Sequence, residues 1–119
     1  MSFQGAKGLT VWNKSIDMVV QCYQLARKLP DSERFGLKSQ MERASVSIPA
    51  NIAEGQGLGS KKSFARHLWI ANGSLAELQT HLVIAARLGF LSGEETQSLI
   101  AVLDEIARMI SGLRNSLQE

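Results

Sequence analysis

The sequence contains one cysteine, two prolines and no long uncharged apolar run, and these scarcities exclude several classes of protein. A single cysteine, Cys22, excludes an internal disulfide and a zinc site built from several thiolates. No uncharged stretch reaches the roughly 18 residues that a membrane-spanning helix needs. The N-terminal MSFQGAKG lacks the apolar segment of a secretory signal. These absences predict a cytoplasmic protein with no membrane partner.

An excess of either charge is also lacking. Thirteen Lys and Arg residues stand against eleven Asp and Glu, which gives a net charge of +2. Dedicated nucleic-acid-binding domains usually carry a larger excess, so such a role would need clustered cations or oligomerisation. Hydrophobic residues make up 45% of the 119 residues, enough for one globular core. We expect a short flexible tail at residues 1–8 and a single domain at residues 9–119.

Apolar residues recur every three or four positions in four segments, as on one face of a helix, and no segment shows the period of two that marks a strand. Short connections between four such helices predict an all-α fold, an antiparallel up-and-down four-helix bundle. Cys22 is expected to be a small buried residue on the first helix. The four apolar stripes are Trp12, Ile16, Val19, Tyr23 and Ala26; Leu37, Met41, Ala44, Ile48 and Ile52; Phe64, Leu68, Ala71, Leu75, Leu78, Leu82 and Ala85; and Leu99, Leu103, Ile106, Ile110, Leu113 and Leu117.

Turn and capping residues predict where these helices begin and end. The first helix should end at Leu29-Pro30-Asp31, and the second helix should end at Gly55. Ser60 should cap the start of the third helix, and Gly89 should end it. Ser92 and Glu95 should form a capping box at the start of the fourth helix. Pro49 lies inside the second helix and cannot donate a hydrogen bond to the Ser45 carbonyl. We therefore expect helix two to be kinked near Pro49 rather than split.

The glycine-rich segment GQGLGSKKS has some features of a phosphate-binding loop. No glycine directly precedes Lys61 and a helix precedes the segment, so neither a P-loop nor a dinucleotide fingerprint fits. Lys61 and Lys62 instead fall in the first turn of the third helix, where the helix dipole disfavours cations. Their position suggests an anionic partner such as phosphate, with two solvated lysines as the alternative.

The histidines do not form a catalytic or metal-binding set. His67 and His81 are fourteen residues apart, or about 21 Å along one helix, too far to share a metal. The Glu-x-x-His repeats of di-iron bundles and the order of a Ser-His-Asp triad are absent. We predict no enzyme, no metal and no cofactor, and expect each histidine at the surface or an interface. Glu77 and His81 should form an ordinary helical pair.

Two further groups of residues on the second and third helices call for an explanation. One group is polar and is expected to form an interhelical hydrogen-bond network that fixes the register of the bundle. The other is apolar and lies outside the main stripe of the third helix, which predicts burial against a partner subunit and hence homo-oligomerisation. The polar group is Asn51, Glu54, Asn72, Ser74 and Glu77; the apolar group is Trp69, Ile70, Val83 and Ile84.

The segments SIPANIAEG and SKKSFARHLWIANGSLAELQTHLVIAARLG resemble the four-helix-bundle family of 23S rRNA intervening-sequence proteins. LTVWNKSIDMVVQCYQLARKLP is similar to the first helix of that family, so the resemblance covers nearly the whole chain. The matching signature residues are Asn51, Glu54, Gly55, Phe64, Arg66, Gly73, Ser74 and Glu77. Two positions depart from the pattern: Leu58 and Gly59 stand where members often carry arginine, and Ser63 where they often carry glutamate.

The resemblance implies a homo-oligomer, a pentameric ring of bundles, that binds RNA or DNA. Its relatives include the accessory variability determinant of diversity-generating retroelements, which binds nucleic acid and a reverse transcriptase. We expect Arg43, Lys61, Lys62 and Arg66 to contact the nucleic-acid backbone. Five copies would carry a charge of about +10. The alternative is a protein-interaction scaffold that recruits a partner enzyme without nucleic-acid contact.

Overall fold

A computed structural model describes Gly5 and residues 9–117, and within these residues the chain forms four long helices and no strand. The helices are α1 (Thr10–Ala26), α2 (Leu37–Gly57), α3 (Lys61–Arg87) and α4 (Gly93–Ser116), with a short 3-10 turn at Asp31–Glu33. Each helix packs on its neighbours in sequence and α4 packs back on α1, with the most extensive contact between α2 and α3. The predicted all-α, antiparallel four-helix bundle is confirmed. Apart from Gly5, the tail predicted at residues 1–8 lies outside the described residues.

The predicted start signals of α3 and α4 are confirmed by their hydrogen bonds. The Ser60 hydroxyl accepts a bond from the Ser63 amide at 3.1 Å. At α4, the Ser92 hydroxyl accepts from the Glu95 amide at 3.1 Å, while the Glu95 carboxylate accepts from the Ser92 amide at 2.9 Å. Each cap provides a partner for an amide that the first turn of a helix would otherwise leave unpaired.

The end of α3 also follows its prediction. Gly89 has a left-handed backbone with φ of 80°, a conformation that glycine adopts without steric cost. Its amide donates to the Ala86 carbonyl, and the Phe90 amide donates to the Ala85 carbonyl, both at 3.0 Å. This pair of bonds is the Schellman motif, which turns the chain toward α4.

Helix α2 differs from its prediction at one point. It runs unbroken through Pro49, as expected, and the Asn51 side-chain amide donates to the Ser47 carbonyl at 2.8 Å; the kink itself stays a prediction. The expected end at Gly55 is wrong, because the helix continues to Gly57 and the Leu58 amide donates to the Glu54 carbonyl. A glycine does not end a helix when packing holds it in place, and Gly55 is buried.

The stripe predicted on α1 is also wrong, by one position. The buried residues there are Val11, Ser15, Met18, Cys22, Leu25 and Ala26, and of the predicted stripe only Ala26 is fully buried. Ile16 and Tyr23 remain 37% and 36% exposed. Because Ser15 is polar, the pattern of apolar residues alone did not identify the buried stripe. Ser15 can be buried because its hydroxyl donates a hydrogen bond to the Trp12 carbonyl at 2.7 Å.

The stripes predicted on the other three helices form the core. Every residue of the α2 and α3 stripes is buried, as are the first four of the α4 stripe. The last two, Leu113 and Leu117, are partly buried and pack against the same core. Because these helices pack on their neighbours with apolar stripes of the predicted register, the sequence pattern determines which faces meet.

Helices α2 and α3 approach each other closely at Gly55. A Cβ atom added there would lie 2.6 Å from the Cβ of His67 and 3.3 Å from the Cα of Phe64. Neither atom can move without moving the α3 backbone, so the position excludes any side chain. Gly57, two residues later in the same helix, faces open space. Gly59 then adopts a left-handed φ of 82° in the turn to α3. Gly55 therefore sets the distance between the two helices.

We expect Gly55→Ala to lower the free energy of unfolding by about 1–3 kcal/mol, the usual cost of overpacking, even though alanine favours helix. Gly57→Ala provides the matched control and should be neutral or stabilise the fold by no more than about 1 kcal/mol. Urea denaturation followed by circular dichroism measures both. Equal effects of the two substitutions would show that the close approach does not limit this position.

We also expect the thiol of Cys22 to be unreactive in the folded protein. Cys22 is buried, with its Sγ 3.7 Å from the Met41 carbonyl oxygen, and burial raises the pKa of the thiol to about 11. At pH 8 it should remain protonated, so a disulfide reagent should react with it only at the rate at which the bundle opens. Urea should accelerate the reaction sharply, whereas rapid labelling without urea would contradict the buried placement.

Candidate functional site

A buried histidine joins α2 to α3 beside the close approach at Gly55. The Nε2 atom of His67 lies 2.9 Å from a carboxylate oxygen of Glu54, and its Nδ1 atom lies 2.9 Å from the Ser63 carbonyl oxygen. The His67 side chain is buried, whereas Glu54 reaches toward solvent. Each ring nitrogen lies within hydrogen-bond distance of an oxygen acceptor, and the tautomer of the ring decides which nitrogen donates. The bridge fixes how α2 and α3 align at this corner of the bundle.

The polar network predicted between helices does not form as one connected set among the described residues. Asn51 bonds the Ser47 carbonyl, and the Ser74 hydroxyl donates to the Ile70 carbonyl at 3.4 Å, each within its own helix. Glu77 pairs with His81 one turn away, and Asn72 is half-buried. Of the five residues only Glu54 bonds across helices. Short side chains find partners one turn away on their own helix more readily than on a neighbour.

Both histidines are buried, which corrects the expectation that they lie at a surface or an interface. His67 was outside the predicted network although it makes the interhelical bond. The Nε2 atom of His81 lies 3.1 Å from the Glu77 carboxylate, as expected for a helical pair, while its buried Nδ1 has no hydrogen-bond partner. Within Gly5 and residues 9–117, no cluster of three or more His, Cys, Asp or Glu side chains could hold a metal ion.

The structure brings three of the four predicted phosphate contacts together. Lys61, Lys62 and Arg66 are all exposed in the first two turns of α3, and Lys62 and Arg66 lie four residues apart on one face. Arg43 is exposed on α2 but precedes Glu54 by eleven residues, which places it about 16 Å along the helix from the corner. Within the described part of the chain, none of the four cations forms a salt bridge.

The outward face of α3 carries the four residues predicted to lie at a subunit interface. Trp69, Ile70, Val83 and Ile84 are 59%, 41%, 39% and 42% exposed. Near its C-terminal half the same face has a shallow depression of about 430 Å³, lined in part by Ala76, Thr80 and Val83. The small side chains there leave room for another surface to approach α3.

Trp69 has a partner that the sequence did not suggest. The guanidinium carbon of Arg114, on α4, lies 4.0 Å from the centre of its ring. The Nε atom of Arg114 is buried and has no hydrogen-bond partner in the described part of the chain. Ten residues later on α3 and ten earlier on α4, Gln79 donates to Asp104 at 2.8 Å. The Trp69–Arg114 and Gln79–Asp104 contacts have the same antiparallel register between α3 and α4. A sequence alignment of the two helices in that register would have placed Arg114 opposite Trp69.

Among the described helices, none combines the length and the apolar content that a membrane span requires.

Comparison with known proteins places the chain in a family. No curated protein matches the sequence. A crystal structure of a protein of unknown function from the S23 ribosomal protein family of Bacteroides thetaiotaomicron VPI-5482 is 25% identical, with a TM-score of 0.82 over 88% of this chain and 98% of that one. The family model for the 23S rRNA-intervening sequence protein matches residues 7–112. Its coverage confirms the resemblance read from the sequence: the chain belongs to the 23S rRNA-intervening sequence protein family.

Proposed function

We propose that this protein is a non-enzymatic, cytoplasmic homo-oligomer, a pentamer, that binds the backbone of RNA or DNA. The observation that carries the proposal is the outward face of α3. It bears exposed apolar side chains along the helix and, in its first two turns, exposed cations that form no ion pair with any described residue. One helix thus offers one surface for self-association and another for a polyanion.

Self-association is supported by apolar side chains that the bundle leaves uncovered. Ile70, Val83 and Ile84 lie on the outward side of α3, each about two-fifths exposed. Val83 and Ile84 are adjacent and line the shallow depression on α3, whereas Ile70 lies about 20 Å away along the helix. Exposed apolar side chains beside such a depression are typical of a contact with another protein. Repeated copies in a closed symmetric assembly would cover them. The number five comes from the family resemblance.

To test self-association, we expect the double variant Val83→Ser, Ile84→Ser to shift the protein from an oligomer to a monomer in multi-angle light scattering. Both side chains are exposed in the single bundle, so its circular dichroism should change little. Val46→Ser is the control, because Val46 is 43% exposed on α2 and lies outside the proposed surface. An unmodified protein that is monomeric at micromolar concentration would contradict the proposal.

Binding of nucleic acid is supported by the placement of the cations at the α2–α3 corner. Lys61 and Lys62 lie in the first turn of α3, where the helix dipole makes a cation unfavourable unless an anion is near. In the described residues no carboxylate pairs with either lysine. Five subunits would repeat the cluster and add their fields. Contacts of this kind hold phosphates and read no base sequence.

We expect the protein to bind structured RNA or duplex DNA with an affinity that falls steeply as salt rises, because bound cations release counterions. The double variant Lys61→Ala, Lys62→Ala should weaken binding. It should also reduce the slope of log K against log salt by the equivalent of up to about two phosphate contacts for each bound subunit. Fluorescence anisotropy from 50 to about 300 mM salt measures the slope. Arg43 lies apart from the α2–α3 corner, so Arg43→Ala serves as the comparison for the lysine double variant.

A scaffold that recruits a partner protein is the second candidate, and Phe35 favours it. This residue is 88% exposed at the opposite end of the bundle, with the Arg34 guanidinium 5.2 Å from its ring. A protruding aromatic beside an arginine is typical of an anchor in protein interfaces. An oligomer that binds no nucleic acid at low salt would support the scaffold and overturn the nucleic-acid proposal.

A further inference from the structure

Trp69 differs from the other exposed apolar residues of α3 because one face of its ring is already occupied. The Arg114 guanidinium lies over that face at 4.0 Å, an orientation typical of a cation–π contact. The tryptophan nevertheless remains 59% exposed, so much of the indole is open to solvent. The contact holds a large aromatic surface in a fixed orientation before any ligand arrives.

The same contact makes Trp69 poorly suited to an apolar subunit interface. Arg114 already has a buried Nε atom without a hydrogen-bond partner. Covering the rest of the guanidinium with apolar surface would remove water from a cation that has no counter-ion among the described residues, which is costly. Ile70, Val83 and Ile84 are aliphatic and have no ring for a cation to cover. The four residues predicted as one interface therefore divide into an aliphatic group and a cationic aromatic site.

Two further cations lie on the same outward side of α3 as Trp69. Arg66 precedes it by three residues and Lys62 by seven, which is about one and two helical turns. Both are exposed, and within the described residues both lack a carboxylate partner. The site thus combines an exposed aromatic ring with three positive groups, the pattern by which proteins hold the bases and phosphates of a single strand.

We infer that Trp69, backed by Arg114 and flanked by Lys62 and Arg66, stacks an unpaired nucleobase while the cations hold the adjacent phosphates. A base inside a duplex has both faces covered by its neighbours, so only a single strand or a loop offers the face that Trp69 needs. This inference rests on the proposed function and refines it, because it names single-stranded nucleic acid as the ligand class and this end of α3 as its site.

The fluorescence of Trp69 gives a direct test. Trp12 is the one other tryptophan, so Trp12→Phe leaves Trp69 as the sole indole in the full-length protein. Three probes are compared at low salt: a single-stranded oligonucleotide of about ten residues, an abasic strand with the same number of phosphates, and a duplex. We expect the single strand to quench the fluorescence, and the abasic strand and the duplex to leave it largely unchanged.

Variants then separate stacking from charge. Trp69→Leu should weaken single-strand binding by about ten-fold, while Trp69→Phe should retain most of the affinity, because phenylalanine also stacks. Neither should change duplex binding by more than about two-fold. Arg66→Ala provides the contrast, since loss of a phosphate contact should weaken binding of all three probes and reduce the salt slope.

The outcomes distinguish this inference from the function on which it rests. Equal binding of the normal and abasic strands without quenching would overturn the stacking site and leave backbone binding intact. Binding of no probe at low salt would overturn both. If Trp69→Leu instead converts an oligomer to a monomer in light scattering, Trp69 belongs to the subunit interface and the inference is wrong.

Discussion

The structure depends on how closely α2 can approach α3 at Gly55. No side chain fits between that backbone and the Cβ of His67, so the helices lie closer there than any residue with a Cβ would allow. The bond between His67 and Glu54 sits beside this contact and fixes the alignment of the pair. From this corner the remaining geometry follows: the first turn of α3, with its lysines, is held at one end of the bundle and in a set orientation.

Much of the fold could be predicted because it rests on local patterns. The apolar stripes of α2, α3 and α4, the caps at Ser60 and Ser92, and the turn at Gly89 each depend on residues a few positions apart. The prediction for α1 was wrong because that helix is apolar on two sides. Its buried side contains Ser15, whose hydroxyl donates a hydrogen bond to a carbonyl of the same helix. Burial of a polar residue depends on its hydrogen bonds, which composition does not reveal.

The candidate sites were less predictable because they join distant parts of the chain. Glycine at position 55 suggested a helix end, whereas its role comes from Phe64 and His67 on the next helix. Arg114 lies 45 residues from Trp69, and nothing near either residue links them. Contacts of this kind depend on the register between packed helices. That register is set by the packing of all the core side chains together, and no short sequence pattern reveals it.

The second apolar side of α1 has a consequence for how subunits could meet. In the described residues α1 and α3 do not contact each other and so occupy opposite corners of the bundle. Ile16, Val20 and Tyr23 remain exposed on α1, as Val83 and Ile84 do on α3. If copies of the chain associate, two unlike apolar faces on opposite corners would favour head-to-tail contacts rather than a two-fold dimer. Such contacts close into a ring when the rotation between subunits is a full turn divided by a whole number, with no translation along the axis.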